Sequence, residues 1–265
     1  MVSTILASEF QEDYAMTFQL GIVTTDGVIL ASDILLTNTK GIRLSYQSPK
    51  IMVYKNQGFA HCSSGDAFCD TFTENVRKQI EEKTVDFVEG EPMEVCRVLT
   101  ECVNLARKEE ADFVTKYNAF PGRKPTIECM GGTSMLVFRG ERKVALWKVN
   151  TLRPYPSAEL IVPGSCIVGG DSDNPAVFFP KIYFPRLPNN LDALISFAVH
   201  TVRMAKDAYV DGVQIGLFSL NTFRTLDEGE LEPHIELSKR LDSAILKTLL
   251  EKPRGKPTRN QTIEA

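Results

Sequence analysis

A chain of 265 residues with 43% hydrophobic and 24% charged residues has the composition of a folded globular protein, which excludes a disordered or collagen-like chain. A net charge of −4 excludes a whole-protein basic footprint for nucleic acid, and no stretch approaches the ~20 apolar residues of a membrane-spanning helix. The six cysteines (Cys62, Cys69, Cys96, Cys102, Cys129, Cys166) form no CxxC pair, which argues against a structural zinc site, and most fall within apolar runs and read as reduced core thiols.

Residues 1–16 have neither the basic start nor the apolar run of a signal peptide. They read as a leader or arm, and the expected location is the cytoplasm. Phe18 to Val23 and Val28 to Ile34 read as strands joined at Asp26-Gly27, a strong hairpin signal. Lys50 to Tyr54 and Gly58 to Cys62 form a second short pair. Ser63-Ser64-Gly65-Asp66 marks a helix start, with Ser64 or Asp66 as N-cap and Phe68, Phe72, Val76 and Ile80 at helical spacing. A longer helix is expected from Pro92 to about Asn118. After the breakers Pro121-Gly122 and Pro125 come strands at Thr133 to Phe138 and Lys143 to Val149, then a short one at Cys166 to Val168. A helix over Asn190 to Tyr209, a strand over Val213 to Leu220 and a helix from about Glu232 to Leu250 follow. The proline-containing, polar stretch 252–265 reads as a flexible tail. Hairpins dominate, so the sheets should be largely antiparallel, stacked on each other with helices outside.

No GxSxG, HExxH, P-loop or GxGxxG motif is present, and the pairs Gly131-Gly132 and Gly169-Gly170 read as turns. His61 reads as a packed strand residue. Asp171-Ser172-Asp173 offers oxygens to a cation, although a solvated loop and cap is the simpler reading.

Five motifs in order carry a family resemblance over residues 17–220. Thr17 opens a strand that turns at Asp26-Gly27 and returns to Asp33, sixteen residues on. Ser48-Pro49-Lys50-Ile51 follows, then Phe59-Ala60-His61-Cys62-Ser63-Ser64-Gly65-Asp66, Gly132-Thr133-Ser134 and Met204-Ala205-Lys206-Asp207-Ala208-Tyr209. Together these resemble the proteasome β-type subunits and their bacterial homologues, within the N-terminal nucleophile hydrolases. The resemblance implies a four-layer αββα sandwich, an α+β fold of two antiparallel sheets flanked by helices. It implies a leader at 1–16 and a catalytic domain at 17–251.

The implied activity is that of a threonine peptidase working by acyl transfer. Thr17 is the nucleophile once residues 1–16 are removed, with its own α-amino group as base. Lys50 lowers the cost of the alkoxide-like state, Asp33 holds Lys50, and Asp207 lies near the free amine. The backbone N–H of Ser64 supplies the oxyanion donor, at a position where the family usually has glycine. Cys62, Gly170 and Ser172 are implied as supporting or pocket residues. Three positions depart from the pattern: no arginine stands two residues after Asp33, Gly170 stands where a serine is usual, and no serine follows Tyr209. The chemistry requires no cofactor and no metal. The implied partners are a peptide or protein substrate, a homo-oligomeric ring or helical assembly and an ATPase unfoldase, with no nucleic acid and no membrane. Two alternatives use the same residues or fold: an acyl transferase that ligates peptides, and a noncatalytic ring subunit.

Overall fold

The computed structural model describes residues 17–37, 43–47, 49–64, 67–117, 132–151, 156–170, 174–206 and 210–250. The first hairpin shows how its architecture begins. Strands β1 (Phe18–Val23) and β2 (Val28–Ser32) are buried along their whole length, because both of their faces are covered. Thr24 closes the turn, its N–H donating to Gly27 O at 2.8 Å and its Oγ1 accepting from the N–H groups of Asp26 and Gly27. Alternation along β1 then sends Phe18, Leu20 and Ile22 to one face and Thr17, Gln19 and Gly21 to the other.

Two antiparallel five-stranded sheets result. The first has the order β10-β1-β2-β11-β12, with β10 at Ser165–Gly170, β11 at Gln214–Phe218 and β12 at Phe223–Thr225. The second runs β5-β6-β7-β8-β9, over Ile51–Tyr54, Phe59–Ser64, Thr133–Arg139, Val144–Asn150 and Ser157–Ile161. A small hairpin of β3 (Leu35–Thr37) and β4 (Arg43–Gln47) stands apart.

Three apolar layers hold the sandwich. Helices α1 (Ala67–Glu82) and α2 (Pro92–Tyr117) cover the second sheet, with Phe72, Val76, Leu99 and Val103 packed on Phe59, Leu136 and Trp147. Trp147 is wholly buried and donates its indole N–H to Phe87 O at 2.9 Å. Helix α3 (Phe178–Tyr183) precedes α4 (Leu191–Met204), and α4 and α5 (Glu228–Leu250) cover the first sheet, where Ile195, Ala198, Val202 and Leu231 meet Phe18, Leu20 and Ile215. Between the sheets lie Val28, Leu30, Ala60, Met135, Val137, Leu146 and Phe218. Each fully buried Val, Leu, Met or Phe side chain among these contributes about 1.5–3 kcal/mol relative to exposure. Gly21 sets the spacing there, since a Cβ at that position would lie 2.8 Å from Leu146.

The expected α+β class and antiparallel sheets are present. Several elements differ from the sequence expectations. Strands β3, β4, β9 and β12 and helix α3 were not expected. Helix α4 ends at Met204, and α5 begins four residues before Glu232. The earlier start of α5 has a local cause: Asp227 Oδ1 accepts from Glu230 N at 2.9 Å while Glu230 Oε2 accepts from Asp227 N at 3.0 Å, a reciprocal capping box. The expected leader (1–16), most of the loop after α2 and the tail (252–265) lie outside the described residues. Among the described residues no helix is long and apolar enough to cross a membrane.

Candidate active site

The space between the sheets is apolar through most of its length and turns polar at one end. Period-two alternation lines up Thr17 just before β1, Gln19 on β1, Ser32 at the end of β2, and Cys62 and Ser64 on β6 on the faces the sheets turn toward each other. Asp33 follows directly after β2, and Lys50 stands directly before β5 on the opposite sheet.

Lys50 spans the gap. Its Nζ donates to Asp33 Oδ2 at 2.6 Å and to Thr17 Oγ1 at 3.0 Å. Thr17 is 5% exposed, and the Lys50 and Asp33 side chains are 8% and 0% exposed. Asp33 is fully engaged: Oδ1 accepts from Phe18 N at 2.9 Å, and Oδ2 also accepts from Leu35 N at 3.1 Å. Burial pushes the Asp33 carboxyl up from its ordinary value; the Lys50 charge and these hydrogen bonds act the other way. The two backbone donors occupy the carboxylate without the arginine that the sequence lacks. A cation held at hydrogen-bond distance from a threonine hydroxyl stabilises negative charge on that oxygen.

The remaining candidates fall into three situations. Ser64 is buried, and its hydroxyl both donates to Thr133 O at 3.1 Å and accepts from Thr133 N at 3.3 Å. The extra side chain is thereby turned onto the neighbouring strand instead of into the space beside Thr17. Gly170 sits opposite Phe18 with φ of +83°, and a Cβ there would lie 1.6 Å from Thr17 O. Only glycine permits that approach, which accounts for the missing serine at this position. Cys62 is 1% exposed within the inter-sheet core, and burial pushes its thiol up to about 12, so it stays protonated at neutral pH. Asp207 and Ser172 lie outside the described residues, as does the loop Asp171 to Asp173.

Two residues of this region were not singled out from the sequence. Gln214, at the start of β11, accepts through Oε1 from the N–H groups of Lys50 and Ile51 at 2.8 Å each and donates through Nε2 to Ile51 O at 3.2 Å. Gln19 is wholly buried; its Nε2 reaches Thr133 O at 3.4 Å, and its Oε1 has no hydrogen-bond partner among the described residues. Both are polar residues in otherwise apolar strands, which is the signal that marks them. His61 faces the helical side, stacked on Tyr54 and Phe59, and burial lowers its pKa to about 4. No group of three or more metal-ligating side chains occurs among the described residues. A surface groove lined by Gln57, Lys83, Phe87 and Arg139 lies at the far end of the second sheet and shares no residue with the cluster.

Fold and site thus define an α+β protein with two stacked antiparallel sheets and a threonine–lysine–aspartate cluster at one end of the gap between them. Solved structures share this fold. An Anbu (Gly-1) mutant from Hyphomicrobium sp. strain MC1 superposes with a TM-score of 0.63 at 12% identity, covering 91% of this chain and 99% of that one. Anbu from Yersinia bercovieri, described as an ancestral beta-subunit, gives 0.62 at 12% identity with the same coverage. A further Anbu structure from Hyphomicrobium sp. strain MC1 gives 0.58 at 11% identity, covering 90% and 99%. Likeness at these identities is one of fold alone. No protein-family model and no curated protein matches the sequence.

These comparisons correct the family assignment made from the motifs. The three solved structures above are Anbu proteins rather than proteasome β subunits of the N-terminal nucleophile hydrolase type, so the chain is not assigned to that superfamily. The physical reason is that the ordered motifs encode strand ends, a hairpin turn and a helix start. They report a shared arrangement of sheets without separating the families built on it.

Proposed function

We propose that this chain is a threonine peptidase that acts by acyl transfer through Thr17 once residues 1–16 have been removed. The observation that carries the reading is the line of contacts from Thr17 Oγ1 to Lys50 Nζ to Asp33 Oδ2, at 3.0 and 2.6 Å, in a buried setting. The freed α-amino group, which titrates near pH ~8 when unperturbed, takes the hydroxyl proton as Oγ1 attacks a peptide carbonyl. The Lys50 ammonium stabilises the developing negative charge on Oγ1, and Asp33 keeps that ammonium in place. The backbone N–H of Ser64 is the donor proposed for the carbonyl oxygen, and Asp207 the carboxylate proposed beside the amine. Collapse breaks the C–N bond, the leaving amine takes the proton from the α-ammonium, and an ester on Thr17 remains. Water then attacks the ester, which releases the acid and restores the hydroxyl.

The test is turnover of an unfolded-protein-derived peptide library by wild type and by Thr17→Ala, with the N-terminus of each preparation read by intact mass. The reading expects Thr17-dependent cleavage in a chain that begins at Thr17. Equal cleavage by Thr17→Ala overturns it. A competing amine in the same assay separates hydrolysis from ligation, since only a transferase yields the amide product. We further propose that copies of the chain assemble, a reading supported by the exposed Phe178, Ile182 and Tyr183 on α3. A monomer-sized species in light scattering at micromolar protein contradicts it.

A further inference from the structure

We infer that Gln214 is a positioning residue that fixes the reach of Lys50 to Thr17; the inference rests on the reading of Thr17 as nucleophile. Lys50 belongs to the second sheet while Thr17 and Asp33 belong to the first, so the distance that matters is set across a non-covalent gap. β5 is the edge strand of its sheet, with β6 as its one neighbour. An edge strand presents N–H and C=O groups that no ladder holds.

The Gln214 carboxamide occupies that edge as a partner strand would. It meets both the N–H and the C=O of Ile51 and takes the N–H of Lys50 as well, at 2.8, 3.2 and 2.8 Å. Gln214 itself lies on β11, directly opposite Ser32 in the β2–β11 ladder. Asp33 is the next residue along. The groups that hold the two ends of Lys50 are therefore carried on adjacent rungs of one sheet: Gln214 holds the backbone, and Asp33 holds the ammonium at 2.6 Å. The ammonium is left with one direction of reach, onto Thr17 Oγ1 at 3.0 Å.

The bonding pattern is specific to this side chain. Methionine fills the space without hydrogen bonds, glutamate keeps the acceptor for both N–H groups and loses the donor to Ile51 O, and asparagine is one methylene too short to reach either N–H. Among the described residues Gln214 makes no hydrogen bond to Thr17 or Asp33, so its loss reaches them through the backbone of Lys50 and Ile51.

The experiment compares wild type, Thr17→Ala, Gln214→Met and Gln214→Glu, each as a chain that begins at residue 17. It measures kcat and KM on one peptide, and amide hydrogen exchange of the 50–51 segment. Misplacing a reacting group by about 1 Å costs about 100-fold. Gln214→Met is therefore expected to lower kcat by about 10- to 100-fold with KM within twofold, and to speed exchange at the Lys50 and Ile51 amides. Gln214→Glu is expected to restore most of kcat. If Gln214→Met does not fold, Gln214→Asn carries the same comparison. Turnover that depends on Thr17 but changes less than twofold in Gln214→Met, or unchanged exchange at 50–51, overturns the inference and leaves the function reading standing. Turnover that survives Thr17→Ala overturns both.

Discussion

Replacing Lys50 by methionine tests the electrostatics of the site without relying on activity. The substitution keeps the apolar stem and removes the ammonium, leaving the Asp33 carboxylate 0% exposed with two backbone donors and no cation. At the observed 2.6 Å and an effective dielectric near 20, the lost attraction is about 6 kcal/mol. Methionine escapes the desolvation of the ammonium, which offsets part of that, and breaking a buried pair by removing one partner costs about 3–5 kcal/mol. For a chain of this size that corresponds to a fall in Tm of roughly 10 °C. The pH dependence has a definite sign. Burial already holds the folded-state pKa of Asp33 above its ordinary 3.8, and loss of Lys50 raises it further. A carboxyl with a raised folded pKa favours the folded state at low pH and loses that advantage as pH rises through the folded value. The deficit of Lys50→Met relative to wild type should thus be smaller at pH 4 than at pH 8. Guanidinium unfolding at both pH values, with Asp33→Asn and the double variant completing a cycle, measures it. The double variant is expected to recover at least half of the loss at pH 8. A deficit equal at the two pH values, or a coupling below about 0.5 kcal/mol, refutes the buried ion pair as the organiser of the site.

Three further outcomes follow from single contacts. Gly170→Ala places a Cβ 1.6 Å from Thr17 O at a φ of +83°, so it should cost about 1–3 kcal/mol in unfolding free energy and lower kcat at least 100-fold by displacing Thr17; wild-type kinetics would contradict the close approach. His61 is buried with its pKa lowered to about 4, so the folded state resists its protonation and stability falls as pH drops below the ordinary 6.5. Between pH 7 and 4.5 the wild type should lose about 2 kcal/mol more than His61→Phe, read by urea unfolding, and parallel curves would reject the assignment. Ser64→Ala removes both hydroxyl contacts to Thr133 and should cost about 1–3 kcal/mol while retaining most turnover, because the backbone N–H remains; loss of turnover at unchanged stability would assign the hydroxyl itself a role.

The reacting cluster was legible because its members sit at points that strand and turn chemistry mark. Asp26-Gly27 fixes the hairpin, the hairpin fixes the distance from Thr17 to Asp33, and Pro49-Lys50 opens the facing strand. What the sequence left hidden depends on neighbours far along the chain. The Gln214–Lys50 bond joins positions 164 residues apart, so a polar residue in an apolar strand marks Gln214 as unusual but does not name its partner. Gly170 read as a departure from a pattern; its left-handed backbone against Thr17 makes it a requirement. Helix α3 is only six residues long and carries Pro180, too short for an amphipathic period to mark it, although Asn174 caps the preceding turn by accepting from Ala176 N at 2.9 Å. The start of α5 is set by the reciprocal Asp227–Glu230 capping box, four residues before the expected one. Strand β9, partly exposed at the sheet edge, lacked the apolar run that marked its neighbours. The motif order specifies the sheets and the turn that bring three side chains together, and it does not specify a family.

The most direct test of the central claim is to treat the purified protein with a peptidyl β-lactone and map the acylated residue by tandem mass spectrometry, alongside the intact mass. The account predicts a single ester on Thr17 in a chain that begins at Thr17, absent in Thr17→Ala and slowed in Lys50→Met. Acylation at any other residue, or acylation of Thr17 in a chain that still carries residues 1–16, would contradict it.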